Sequence, residues 1–80
     1  MVAMKPILLI KLLMTTGDQT IKLDQFLKWV GAASTGGEAK MMIQGGLVKV
    51  NGASETRRGR KLVSGDSVMV KGQIYRVEFN

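Results

Sequence analysis

Arg57-Arg58-Gly59-Arg60-Lys61 crowds four cationic side chains around one glycine. Their mutual repulsion is unfavourable unless something anionic sits nearby. Arginine's planar fork can grip a phosphate through two hydrogen bonds, where lysine offers a point charge. From Lys40 to Lys61, six basic residues (Lys40, Lys49, Arg57, Arg58, Arg60 and Lys61) stand against Glu55 alone, and this segment holds most of the formal charge of +6. The chemistry expected there is recognition of an anionic partner. A basic loop that only keeps the protein in solution is the plainer alternative.

A second feature lies upstream. Thr35-Gly36-Gly37-Glu38 fits a capping box, in which hydroxyl and carboxylate satisfy backbone donors at the start of a helix. Exposed N–H groups and the positive end of the helix dipole favour an anion at such a point, and Gly36 and Gly37 would let a backbone come close. The same glycines could equally serve the cap alone. If both features lie on one face, the case for an anion is stronger than from either.

Other chemistry is poorly provided for. The chain has no histidine and no cysteine, which removes the commonest general base, the commonest metal ligand, thiolate sites and disulfides. Its six acids are scattered, and no nucleophile–base pair is visible. We therefore expect no enzymatic activity, no cofactor and no metal. The absence of cysteine is compatible with a reducing cytosol, and a cytoplasmic protein is expected.

The elements that must position these residues can be read from periodicity. Eighty residues make one domain with a modest core. Asp24 is expected to cap a helix through Val30, with Leu23, Phe26, Leu27 and Val30 on its core stripe and Gly31 ending it. Trp29 falls about 60° around that helix from Phe26, so partial burial is expected, although a base could stack on it. In the second helix Ala39, Met42 and Ile43 form the buried stripe, Lys40 and Gln44 face water, and Gly45-Gly46 stops it.

From Leu47 the period alternates. Val48 and Val50 flank Lys49, and Asn51-Gly52 is suited to a tight turn with positive φ. Ser64-Gly65-Asp66 and Lys71-Gly72-Gln73 are further turns, bracketing a strand over Ser67–Val70. In the last strand Tyr75, Val77 and Phe79 share one face, and both aromatics are expected in the core. The predicted fold class is α+β: two short helices packed on a small, mostly antiparallel sheet. With so few aromatics, a platform that stacks several bases is not expected.

Residues 19–80 form the expected compact domain, and residues 1–18 an apolar arm or an edge strand. The run Ile7–Met14 is too short for the roughly 20 residues that cross a bilayer as a helix. Thr15-Thr16-Gly17-Asp18 offers no small-residue cleavage site, so export is not expected.

Taken in order, Lys22-Leu23-Asp24-Gln25-Phe26-Leu27-Lys28, Glu38-Ala39-Lys40, Ile43 to Gly52 and Ser64-Gly65-Asp66 resemble the S4 RNA-binding domain family. The most diagnostic part is Val48-Lys49-Val50-Asn51-Gly52 followed later by Gly65-Asp66. Glu55 to Lys61 is similar to the small stand-alone bacterial members. The resemblance covers about three-quarters of the chain. It implies two helices on a small sheet, the αL motif, with RNA held across the second helix and the adjacent hairpin. Position by position it nominates Thr35, Lys40 and Asn51, to which the stand-alone members add Arg57, Arg58, Arg60 and Lys61. Many members carry an arginine just inside the second helix, where this chain has Gly36-Gly37, so backbone donors there would replace a side-chain contact.

The function expected is binding of structured RNA, ribosomal RNA or a ribosomal particle, by a monomer with no membrane association. An alternative is an interaction module docking on an acidic ribosome-associated protein. A third is an anionic membrane binder that combines the apolar N-terminal run with the basic cluster.

Overall fold

The structure is a computed structural model that describes residues 8–12 and 19–79. The expectations placed on Ile7, on Leu13-Met14 and on Thr15–Asp18 lie outside the described residues. In chain order the elements are β1 (Leu8–Leu12), β2 (Ile21–Lys22), α1 (Leu23–Trp29), α2 (Gly36–Gln44), β3 (Val48–Val50), β4 (Ala53–Ser54), β5 (Lys61–Leu62), β6 (Ser67–Val70) and β7 (Gln73–Phe79). Five strands form one sheet in the order β1-β7-β6-β3-β4, and β2 pairs with β5 separately. Among the described residues only the β1–β7 pair is parallel, with Leu8 opposite Tyr75 and Leu12 opposite Phe79. The other pairs are antiparallel, which makes this the expected α+β arrangement.

The apolar stripes meet in one core. Leu23, Phe26 and Leu27 of α1 and Ala39, Met42 and Ile43 of α2 pack with Val48, Val50, Leu62, Val68, Val70 and Val77. Each large side chain so buried contributes roughly 1.5–3 kcal/mol. Val30, Tyr75 and Phe79 pack at its edge. Tyr75 meets Phe26 edge to face, with ring centroids 6.3 Å apart and planes at 82°, an arrangement favoured by the aromatic quadrupole.

The hairpins follow from left-handed backbone. Asn51 and Gly52 take φ of 52° and 86°, and Lys71 and Gly72 take 52° and 73°. Two positive-φ residues in a two-residue loop match the right-handed twist of the flanking strands. Gln73, read as part of the second of these turns, instead opens β7 by pairing with Val70.

Two further expectations are corrected. Asp24 does not cap α1. The N-cap position is Lys22, which makes no side-chain cap bond. Instead the first N–H groups of the helix donate to distant carbonyls, Leu23 to Arg60 at 2.8 Å and Asp24 to Arg58 at 3.1 Å. Tertiary contact has taken over the role of a local cap. Trp29 is 58% exposed rather than partly buried. Leu23, Phe26 and Leu27 already fill the core side of this seven-residue helix. No helix among the described residues is long and apolar enough to cross a membrane.

Candidate nucleic-acid interface

The loop between β4 and β5 is organised by the residue that the charge count had set against it. Glu55 is anchored by its N–H to the Val48 carbonyl at 3.0 Å, and its side chain is only 8% exposed. Its Oε2 accepts from the Arg57 N–H and the Arg57 Nε–H, each at 3.1 Å. Its Oε1 accepts from Arg57 Nη2 at 3.2 Å and from Arg60 Nη1 at 2.7 Å. These charge-assisted bonds satisfy a carboxylate that burial would otherwise penalise. Bonding to Arg57 first, and then to Arg60, lowers the Glu55 pKa from the ordinary 4.5 to about 2. The same pair raises the Arg57 pKa.

This strut shapes the basic loop without hiding it. Arg57 remains 75% exposed while Arg60 is 34% exposed. A guanidinium has five donors, so Arg57 keeps N–H groups to offer outward. The Arg60 N–H donates to the Arg57 carbonyl at 3.2 Å, closing a turn whose tip is Arg58-Gly59. The carbonyls of Arg58 and Arg60 are held by the start of α1, as described, and the Arg58 side chain is exposed. Lys61 opens β5 directly opposite Lys22 of β2, and both are exposed. Like charges directly opposite across a strand pair are destabilising until an anion sits between them. Lys22 was absent from the expected site because no local pattern marks a two-residue strand.

The other nominated residues are distributed around this loop. Lys49 is exposed between buried Val48 and Val50, and Lys40 is exposed on α2. Among the described residues, Lys22, Lys40, Lys49, Arg58 and Lys61 make no ion pair. Asn51 is occupied by the fold. Its Nδ2 donates to Asp66 Oδ1 at 3.0 Å, and its Oδ1 accepts from the Ser67 N–H at 2.9 Å. The second Asp66 oxygen accepts from the Val63 N–H at 2.9 Å, so the two turns are locked together.

The start of α2 differs from the expected box by one residue. Thr35 Oγ1 accepts from the Glu38 N–H at 3.1 Å, but Glu38 Oε1 reaches back to the Ser34 N–H at 3.3 Å rather than to that of Thr35. A Cβ at Gly36 would meet nothing within 4 Å, and one at Gly37 only Thr35 Oγ1 at 3.9 Å. The backbone at these glycines is therefore uncrowded on its side-chain side, and the Glu38 carboxylate stands nearby on the Ser34 N–H. Nine residues of α2 span about 13 Å. Glu55 is tied to Val48, beyond the C-terminal end of that helix, and no hydrogen bond or ion pair among the described residues links Thr35-Gly36-Gly37 to the Arg57–Lys61 loop.

The order of helix, capped helix, hairpin, basic loop and returning strands has close parallels in other proteins. Residues 14–78 match the sequence profile described as the S4 domain. The Escherichia coli K12 protein named "Putative RNA-binding protein YbcJ" is 40% identical over 57 residues, which cover 71% of this chain and 81% of YbcJ. "Probable ribosome maturation protein RlbA" of Bacillus subtilis is 43% identical over 54 residues, covering 68% and 76%. The solution structure of E. coli YbcJ, described as revealing an αL motif involved in RNA-binding, superposes with a TM-score of 0.66 at 32% identity. That superposition covers 98% of this chain and 95% of YbcJ. With the profile spanning most of the chain and the fold shared from β1 to β7, this protein belongs to the S4 domain family.

Proposed function

We propose that the protein is a non-catalytic binder of structured RNA, acting in the cytoplasm on ribosomal RNA or a ribosomal particle as a monomer. The observation that carries this reading is the exposed cationic loop braced by buried Glu55, with Arg58 and Lys61 unpaired and Lys22 added beside them. Two relatives, one named for RNA binding and one for ribosome maturation, support the same reading. Affinity comes mainly from phosphate contacts and selectivity from the shape of a folded RNA. Lys40, Lys49 and the N–H groups of Gly36 and Gly37 extend the contact along the hairpin and α2. Thr35 and Asn51 shape the surface rather than supply charge.

Titration against a structured ribosomal RNA fragment, a DNA duplex of similar charge and heparin, each at several salt concentrations, tests this. RNA should win at matched salt. If about four phosphates are neutralised, log K should fall against log salt with a slope of roughly −3. Equal binding of all three polyanions would reduce the activity to charge attraction. The second reading, docking on an acidic protein, draws on exposed Met41 and Leu47, which lie close in sequence to Lys40 and Lys49. It predicts that no RNA is preferred.

A further inference from the structure

The ledge formed by β2 and the outer side of α1 carries an exposed aromatic side chain that the basic loop does not account for. Trp29, the only tryptophan in the chain, is more than half exposed at the end of α1. It lines an open recess with Thr20, Ile21, Gln25 and Lys28. Gln25 and Trp29 are four residues apart, so they share one side of the helix, with Lys28 next to them. The Gln25 side-chain amide makes no hydrogen bond to the described residues, and such an amide offers a donor pair and an acceptor.

Position argues for what fills the recess. Ile21, in its lining, is followed by Lys22, which sits opposite Lys61 of the basic loop. The carbonyls of Arg58 and Arg60 cap the same helix that carries Gln25, Lys28 and Trp29. The same short helix thus joins the recess to the cationic loop, and among the described residues the lining holds a lysine and no carboxylate. A flat aromatic surface, an amide able to meet either kind of hydrogen-bonding edge and flanking cations together suit one nucleotide: base on indole, phosphate toward Lys28 and Lys22. From this we infer that Trp29 stacks a single unpaired base of the bound RNA, with Gln25 reading its edge. The inference rests on the RNA-binding reading and adds to it a preference for RNA with a nucleotide free to leave the helix stack. It does not need the multi-base platform that the composition argues against.

The sole tryptophan makes the test direct. Intrinsic fluorescence is followed while the wild-type protein is titrated with an RNA stem carrying one bulged purine, with the unbroken stem, and with heparin. Affinities of W29A and W29F for the two RNAs are measured in parallel, after circular dichroism confirms that both variants fold. The bulged stem should quench Trp29 and bind about tenfold more tightly than the unbroken stem. Heparin, which has no bases, should bind without that quenching. W29A should abolish the preference for the bulge and W29F should keep most of it, with the salt slope of both unchanged because the phosphate contacts remain. Equal affinity for the two stems, or W29A retaining the preference, overturns the inference while leaving RNA binding in place. Fluorescence that changes with protein concentration alone would show a second copy in the recess and overturn it as well. Failure of the wild type to bind either stem is a different result, and it removes the RNA-binding reading itself.

Discussion

The loop from Glu55 to Lys61 and the start of α2 each place one carboxylate among groups suited to anions, with opposite consequences. Glu55 is buried and turned inward, where Arg57 and Arg60 surround it. It removes charge from the count but fixes the loop, so that Arg58 and Lys61 project from a rigid frame. Glu38 stays exposed at the start of α2 and holds only the Ser34 N–H. There it completes a cap and sets a negative charge where a phosphate would have to approach. A carboxylate within a basic segment is thus a brace in one place and a competitor in the other, and net charge does not distinguish them.

Breaking the brace should have the largest effect. E55Q removes the ionic acceptor but keeps much of the shape, and thermal or urea unfolding should show a loss of about 2 kcal/mol. The pH dependence has a definite sign. Because the folded-state pKa of Glu55 is depressed from 4.5 to about 2, its contribution is complete above the higher value and disappears as pH falls through that window. The melting temperature of wild type should therefore fall more steeply between those two pH values than that of E55Q. Parallel curves would mean that the pair contributes nothing to stability.

Removing the projecting charges should leave stability almost untouched and cost binding instead. The R58A/K61A double variant should lose about tenfold in RNA affinity and flatten the salt slope by roughly 2, both read from the same titrations. At the other site, T35A removes the hydroxyl that holds the Glu38 N–H and should destabilise by about 1 kcal/mol. The smallest effect is the most discriminating. E38Q should raise RNA affinity about twofold to threefold by removing the charge at the start of α2, while costing a few tenths of a kcal/mol in stability. Unchanged affinity would place that end of α2 outside the RNA contact.

Legibility in the sequence followed the range of the interactions. The stripe of Leu23, Phe26 and Leu27, the Thr35 cap and the Asn51-Gly52 turn depend on neighbours within a few positions, and the structure shows all three. The cap of α1 could not be read, because its acceptors are carbonyls of Arg58 and Arg60, more than thirty residues along the chain. Lys22 and Lys61 are brought together by two-residue strands that carry no period. Glu55 looked like a single opposing charge because its partners lie two and five residues on, in an irregular loop where spacing says nothing about direction. The exposure of Trp29 is not legible either, because angle around a helix predicts burial only when another element covers that side.

The parallel pairing of β1 with β7 also bears on how the molecule is made. Leu8 is matched to Tyr75 and Leu12 to Phe79, so the first described strand is completed by the last. During synthesis the helices and the β3–β6 pairing can form while Leu8-Leu9-Ile10-Lys11-Leu12 still has no template. This apolar segment stays unpaired until the final strand emerges, and closing so long a loop is a slow, late event. For that interval the nascent chain displays a short, strand-prone sequence of the kind that pairs with neighbouring copies. Yield of folded protein should accordingly depend on translation speed and expression level more than the equilibrium stability of the finished domain would suggest.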